Sequence, residues 1–527
     1  MVFLLKYFRS APQRLPMRAR LVVTLAAAAV LATSPRVPGA SGRAVEDRAA
    51  PADTVYTAPE IVVEAARITP GIDDIFRRPG FVAVLDVGAR QDRVEDLASV
   101  LSQMAGIRVR QYGGLGSFAT VSIRGSSANQ VEVYLDGVPL NDAYLGVANL
   151  SDLPLGGVER IEVFRGFAPP HLGSSAIGGA VNLVTSDESK WAEQAVLSRV
   201  EARESYGSFG TARHTLSLWS HPGSVKLFFH GSYLESQGDF DFVDDQTTPL
   251  NPDDDETVTR ANNDFHAWNL LGRIQRPVPG AGQLTLSHTA LIREQGVPGV
   301  GSFQSKTARS ERERHITNAQ FTARPLFGKK LHAFAAGFYS NAREQFHDLD
   351  GEISLIPQDT DNSFRTWGGN VRARLDVPRA PVAVEVFHQS KNERFRPRTR
   401  IPTPSEGPDR TRSTRNTTVS GDLFLHRLGV VLTAAANYED QTTEFYDPPR
   451  FPWLPPTPQG KIERSEHSPR YGFRWLATPY LTVKGNWGRY FRRPTTLELF
   501  GNTGSVTGSA DLEPEEGLNR DAGFIVS

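Results

Sequence analysis

The sequence predicts a small N-terminal α+β domain followed by a long antiparallel β region, either a membrane barrel or a sandwich. Three observations carry that prediction. The only continuous apolar run in the 527 residues is 21–32 (LVVTLAAAAVLA), and mean hydropathy is −0.34, so a bundle of membrane-spanning helices is excluded. The chain is rich in turn formers, with 46 Gly and 36 Pro. Beyond about residue 195, short segments alternate apolar and polar side chains between Gly/Pro or polar turns. A membrane barrel and a soluble sandwich both produce that alternation.

Composition excludes several functions. Lys+Arg 58 against Asp+Glu 59 leaves a net charge of −1, which gives no overall attraction to nucleic acid. With no cysteine there are no disulfides, thiolate metal sites or cysteine nucleophiles. The 12 His are scattered without an H-E-x-x-H, and G-x-S-x-G, Walker and dinucleotide-binding fingerprints are absent. No enzyme is predicted.

The apolar run follows Arg14, Arg18 and Arg20 and gives way to small residues. Basic flank, short apolar core and small residues is the order of an export signal, here about residues 1–40, with cleavage expected between Ser34 and Ala44. Residues 41–69 read as a flexible lead. Within them Glu60, Ile61, Val62, Val63, Glu64 and Ala65 form a β-prone patch. It is either the first strand of the next domain or a peptide ready to add to a partner's sheet edge.

Residues 70–186 read as the α+β unit. Val94, Leu97, Leu101 and Met104 recur at helical spacing, with Gly106 as a stop. Strands are expected at 107–110, 120–125, 131–136, 158–165 and 179–185, with Asp136-Gly137 as a hairpin turn. The Gly-rich stretch 111–117 is a turn and not a phosphate loop, because no G-K-[ST] follows.

Four blocks in this unit, SIRG at 122–125, YLDGVPLN at 134–141, VERIEVFRG at 158–166 and GSSAIGGAVN at 173–182, occur in an order and spacing that resembles the plug domain of TonB-dependent outer-membrane receptors. The stretch IRGSSANQVEVYLDGVPLN is most similar to the cobalamin receptors. Phe167 and Leu172 depart from the family's usual Pro and Tyr. The resemblance implies a plug closing a transmembrane β-barrel in the outer membrane of a Gram-negative bacterium. It also implies active import of a scarce bulky small molecule, most favourably cobalamin or another corrinoid. Iron–siderophore import, or a non-transporting barrel serving as an adhesin or signal transducer, are the alternatives. The family's TonB box falls on Glu60–Ala65, with 53–56 (DTVY) as a second candidate. The implied partner is TonB of the inner-membrane TonB-ExbB-ExbD complex. Arg124 and Arg165 match plug arginines that lock onto barrel carboxylates, and Asp521 corresponds to one such carboxylate.

The barrel is expected over 195–527. Val371, Ala373, Leu375 and Val377 oppose Arg372, Arg374 and Asp376; Leu284, Leu286, Ala290 and Ile292 oppose Thr285, Ser287 and Thr289. Apolar residues toward lipid and polar ones toward the lumen is what a barrel requires. About fourteen strands are expected where the family has 22, so the sequence reads as a C-terminally truncated receptor. Long connections are expected near 237–262, 294–312, 344–362, 394–412, 443–462 and 500–516. The first carries Asp239, Asp241, Asp244 and Asp245, with Asp253, Asp254 and Asp255 nearby. Seven carboxylates could supply the six to eight oxygens of Ca²⁺, but no EF-hand spacing is present, so solvated loop charge is the preferred reading and calcium the alternative. Arginines 394, 396, 398, 400, 410, 412 and 415 would attract an anionic substrate or lipopolysaccharide phosphates.

If Glu60–Ala65 pairs with TonB as an added strand, Val62→Pro or Val63→Pro removes a ladder donor. Energised uptake should be lost while ligand binding at the cell surface persists. Undiminished uptake would refute the box assignment.

Overall fold

The computed structural model describes residues 78–87, 96–153, 155–172, 176–185, 198–328, 330–407, 409–445, 460–501 and 508–526. The export signal and the proposed TonB box lie outside them.

The first domain is a mixed sheet with a helix. Its elements are β1 (Val82–Asp86), α1 (Leu97–Ser102), β2 (Ile107–Gln111), β3 (Ala119–Ile123), β4 (Val131–Leu135), β5 (Val138–Pro139), β6 (Val158–Phe164) and β7 (Gly179–Thr185). The sheet order is β1-β6-β7-β4-β5, with β2 and β3 as a separate hairpin. Helix α1 starts where Asp96 caps it, its Oδ1 accepting from the Ser99 amide at 2.7 Å. The β4–β5 turn is tight because Asp136 and Gly137 both take positive φ, 50° and 80°, as a two-residue hairpin demands. Strand β4 runs parallel to β7 and β7 antiparallel to β6, burying Val133, Ile161, Val181 and Leu183 at the centre.

The second domain is one large antiparallel sheet. Its strands are β8 (Ser198–Gly207), β9 (Thr211–Ser220), β10 (Lys226–Ser236), β13 (Phe265–Val278), β14 (Gly282–Gly296), β17 (Arg309–Ala323), β18 (Leu331–Asp348), β19 (Gln358–Asp376), β20 (Val382–Arg396), β23 (Arg410–Leu425), β24 (Val430–Phe445), β25 (Gly460–Thr478), β26 (Leu481–Arg492) and β27 (Glu515–Val526). Short pieces decorate its connections: β11 (Asp241–Asp244) with β12 (Glu256–Thr259), β15 (Gly299–Val300) with β16 (Phe303–Gln304), and β21 (Arg398–Ile401) with β22 (Ser405–Glu406). The fourteen long strands follow one another as consecutive neighbours, with β8 and β27 at the two ends of the order.

The alternation read from the sequence has the orientation a barrel needs. In β14 Leu284 and Leu286 are exposed on the outer face, while Ser287 and Thr289 are buried against the lumen. In β19 Val371 and Leu375 point outward and Arg372 is buried. Tyr339 and Trp367, directly opposite one another on β18 and β19, form an exposed aromatic pair on the outer face. Connections alternate short and long, as at 279–281 against 297–308. The strands run further into several long connections than expected: β18 continues to Asp348 and β19 begins at Gln358, leaving 349–357 between them.

Val371 lies between the Trp367 level and the end of β19 on the lipid-facing side, so Val371→Arg should cost about 2–4 kcal/mol of folding free energy in a bilayer. Urea unfolding in lipid vesicles measures it. An unchanged midpoint would place that face away from lipid.

Candidate functional site

The polar lumen meets the plug through buried charges, and most of them reach inward from the wall. Asn149 caps a single turn ending at Asp152, whose carboxylate is fully buried. Arg293 of β14 approaches one oxygen at 3.1 Å and Arg312 of β17 the other at 2.6 Å. Asn149 Nδ2 donates to Oδ1 at 3.1 Å. The same arginine rows hold plug backbone: Arg293 donates to the Gly116 carbonyl at 2.9 Å and Arg314 to that of Leu140 at 3.2 Å. Asp136, in the β4–β5 turn, accepts from Arg273 of β13 at 2.9 Å and from the Thr185 amide and hydroxyl.

At the short-turn end Glu385 of β20 gathers Arg372 at 2.9 Å, Arg374 at 3.5 Å and the plug's Arg78 at 3.6 Å. Nearby, Lys484 Nζ donates to the carbonyls of Arg78 and Gly80 at 2.8 and 3.1 Å. Inside the plug, burial pushes the Glu132 carboxyl up to about 7, opposed by the hydrogen bond it accepts from the Tyr134 hydroxyl.

The residues expected from the sequence are placed as follows. Arg124, at φ 53°, extends to Asp521 of β27, Nη1 to Oδ2 at 3.3 Å, and Asn486 donates to the other oxygen at 2.8 Å. Arg165 donates to the Ala105 carbonyl at 2.7 Å, a contact within the plug and not with a wall carboxylate. Burial and the neighbouring Arg124 lower its pKa. The aspartates do not converge. Asp241 accepts from the Thr259 hydroxyl across the β11–β12 pair, Asp244 from the Gln246 amide, and Asp245 from the Thr247 amide and the distant Ser302 hydroxyl, so each serves a different partner. No contact of Asp239 bears on the cluster. Among the described residues no group of three or more His, Asp or Glu is arranged to hold a metal ion.

The Arg-rich stretch is mostly wall: Arg394 and Arg396 end β20, Arg410, Arg412 and Arg415 lie on β23, and Arg398 and Arg400 sit on β21 in the connection between them. Arg394 and Arg396 pair with Asp409, and Arg400 with Asp359 and Asp361. Arg410 and Arg412 open β23 and point into the lumen, where both are buried.

At the long-connection end a short helix, α2 (Thr496–Phe500), folds in over the plug apex. Thr496 donates through its amide and hydroxyl to the Ala143 carbonyl, both at 3.0 Å, and the Leu497 amide donates to that of Tyr144 at 3.1 Å. Tyr144 stacks on Phe395 of β20 at 4.4 Å between centroids, and Phe395 on Phe364 of β19 at 4.8 Å. Nothing in the sequence of this segment announces its contact with the plug.

Removing the Asp152 carboxylate takes a buried counter-charge from two guanidinium groups, leaving Arg293 with the Gly116 carbonyl and Arg312 with Glu344. Asp152→Ala should cost about 3–5 kcal/mol, read as earlier plug release in urea by limited proteolysis. An unshifted profile would mean that the arginines are satisfied elsewhere.

Comparisons with known proteins agree with this architecture. The family model described as TonB-dependent Receptor Plug Domain matches residues 77–180. The one described as TonB dependent receptor-like, beta-barrel matches residues 245–526, more than half of the chain. Among curated proteins, the vitamin B12 transporter BtuB of Vibrio vulnificus is 32% identical over 197 residues, 37% of this chain and 31% of the relative. BtuB of Photobacterium profundum is 35% identical over 126 residues, 24% of this chain and 20% of the relative. The alignments thus span about a third or less of these relatives. Among solved structures, the copper transporter OprC superposes with a TM-score of 0.68 at 17% identity, covering 84% of this chain and 68% of that one. The FrpB iron transporter of Neisseria meningitidis (F3-3 variant) gives 0.68 at 14% identity, covering 85% and 71%. At such identities the likeness shows the fold. With a matching plug and a matching barrel in sequence order, the chain belongs to the TonB-dependent receptors, outer-membrane β-barrel proteins of Gram-negative bacteria.

Proposed function

We propose that this chain is the ligand-binding and gating part of an importer that takes a scarce, bulky small molecule across the outer membrane. The observation that carries the reading is a folded domain filling the lumen, held by polar contacts that can be exchanged for water. Covalent attachment would fix a plug permanently; hydrogen bonds and ion pairs can be exchanged for bonds to water once the seam opens. TonB is the proposed energy-coupling partner, adding a strand along Glu60–Ala65 and pulling the plug from the periplasmic side. The chain therefore needs no nucleotide site of its own.

Cobalamin or a related corrinoid is the favoured cargo, supported by the plug blocks at 122–141 and by the BtuB relatives. The ligand would settle on the apex around Tyr144, between the long connections. Purified protein titrated with cyanocobalamin and, separately, with ferric siderophore complexes tests this. Saturable binding of cyanocobalamin alone is expected. Binding of a ferric complex with none of cyanocobalamin would move the cargo to the iron–siderophore class.

A further inference from the structure

The inward-folded segment 493–501 is fastened at both ends by two arginines on one face of β23. Arg412 Nη2 donates to the Pro494 carbonyl at 2.9 Å, and Arg410 Nη1 to that of Gly501 at 3.0 Å. Between these points the segment is stiffened internally. Thr495 and Glu498 form a reciprocal capping box, at 3.2 and 2.7 Å, and Leu499 is buried. Its contact with the plug is equally tight. A Cβ at Gly146 would lie 2.6 Å from the Thr495 methyl, and φ there is +72°.

Arg410 does more than hold one carbonyl. Its guanidinium lies 5.8 Å from the ring centroid of Tyr144 on the plug and 5.8 Å from that of Phe500 on the segment. Phe500 in turn packs on Phe445 of β24 at 4.1 Å. One buried cation therefore touches plug, segment and wall together. A desolvated guanidinium over an aromatic face is bound more strongly than an exposed one. Its planar fork also lets it donate in its own plane while rings lie over its faces.

We propose that Arg410 is a positioning residue that pins segment 493–501 onto the plug apex and so sets the closed position of the turn 142–146. The pin is contingent on Tyr144 staying where it is. Anything that displaces the Tyr144 ring removes one of the faces holding Arg410 and loosens the segment's grip on the carbonyls of Ala143 and Tyr144. This role rests on the gating reading above, because it places the first movable contact of the plug where a ligand would arrive.

Amide hydrogen exchange of the full chain in lipid, with no ligand added, tests the pin. In the wild type the Thr496 and Leu497 amides should be protected. In Arg410→Ala their exchange should rise by about tenfold or more, while the β4–β7 ladder of the plug stays within about twofold. Arg410→Lys should behave like Arg410→Ala, because a lysine keeps the charge without the planar fork. Unchanged exchange at Thr496 and Leu497, equal loosening of the β4–β7 ladder, or full rescue by lysine would each overturn the proposal. Because no ligand enters the measurement, its failure is distinct from failure of the cobalamin reading.

Discussion

Hydrocarbon offers no hydrogen bonds to backbone groups, so each unpaired N–H or C=O in the membrane costs several kcal/mol. That constraint forces the second domain into long antiparallel strands, each laddered to its sequence neighbours. A strand's two faces then see different solvents, lipid outside and a polar lumen inside. The lumen wall consequently carries Arg293, Arg312, Arg314, Arg372, Arg410 and Arg412 on inward positions. A domain inserted there cannot seal the lumen with apolar surface alone, because those guanidinium groups would be buried without partners. The plug answers with Asp152, Asp136 and a set of carbonyls.

The direction of the lock follows. The family resemblance led to an expectation of plug arginines on wall carboxylates, and Arg124 with Asp521 has that sense. The most deeply buried pairs run the other way, from wall arginines to the plug's Asp152. An arginine on a β-strand is suited to the role. Its long stem crosses from wall to plug, and its several donors serve a carboxylate and a carbonyl at once, as Arg293 does with Asp152 and Gly116.

Much of the fold was legible because it is set by local pattern. The opposed faces of β14 and β19 can be read from Leu284, Ser287, Val371 and Arg372 in isolation, and the β4–β5 hairpin from Asp136-Gly137 alone. Strand β1 was missed, since its five residues gain identity only by pairing with β6. The lock at Asp152 was illegible for a similar reason: its partners lie at Arg293 and Arg312, and nothing near Asn149–Asp152 announces them. The Asp cluster at 239–245 is the opposite case, because residues close in sequence are not close in orientation. Their oxygens cap turns and short strands instead of meeting. The inward seat of α2 is likewise illegible locally, since Arg410 and Arg412, which donate to its flanking carbonyls, lie more than eighty positions earlier.

The central claim is that desolvated pairs between wall arginines and plug carboxylates hold the plug in the lumen. A double-mutant cycle on Asp152→Ala and Arg312→Ala, followed by urea-induced plug release in lipid vesicles, tests it directly. Coupling between the two changes of about 1.5 kcal/mol or more is predicted. Additivity within about 0.5 kcal/mol would contradict the account, because residues that do not share an interaction add.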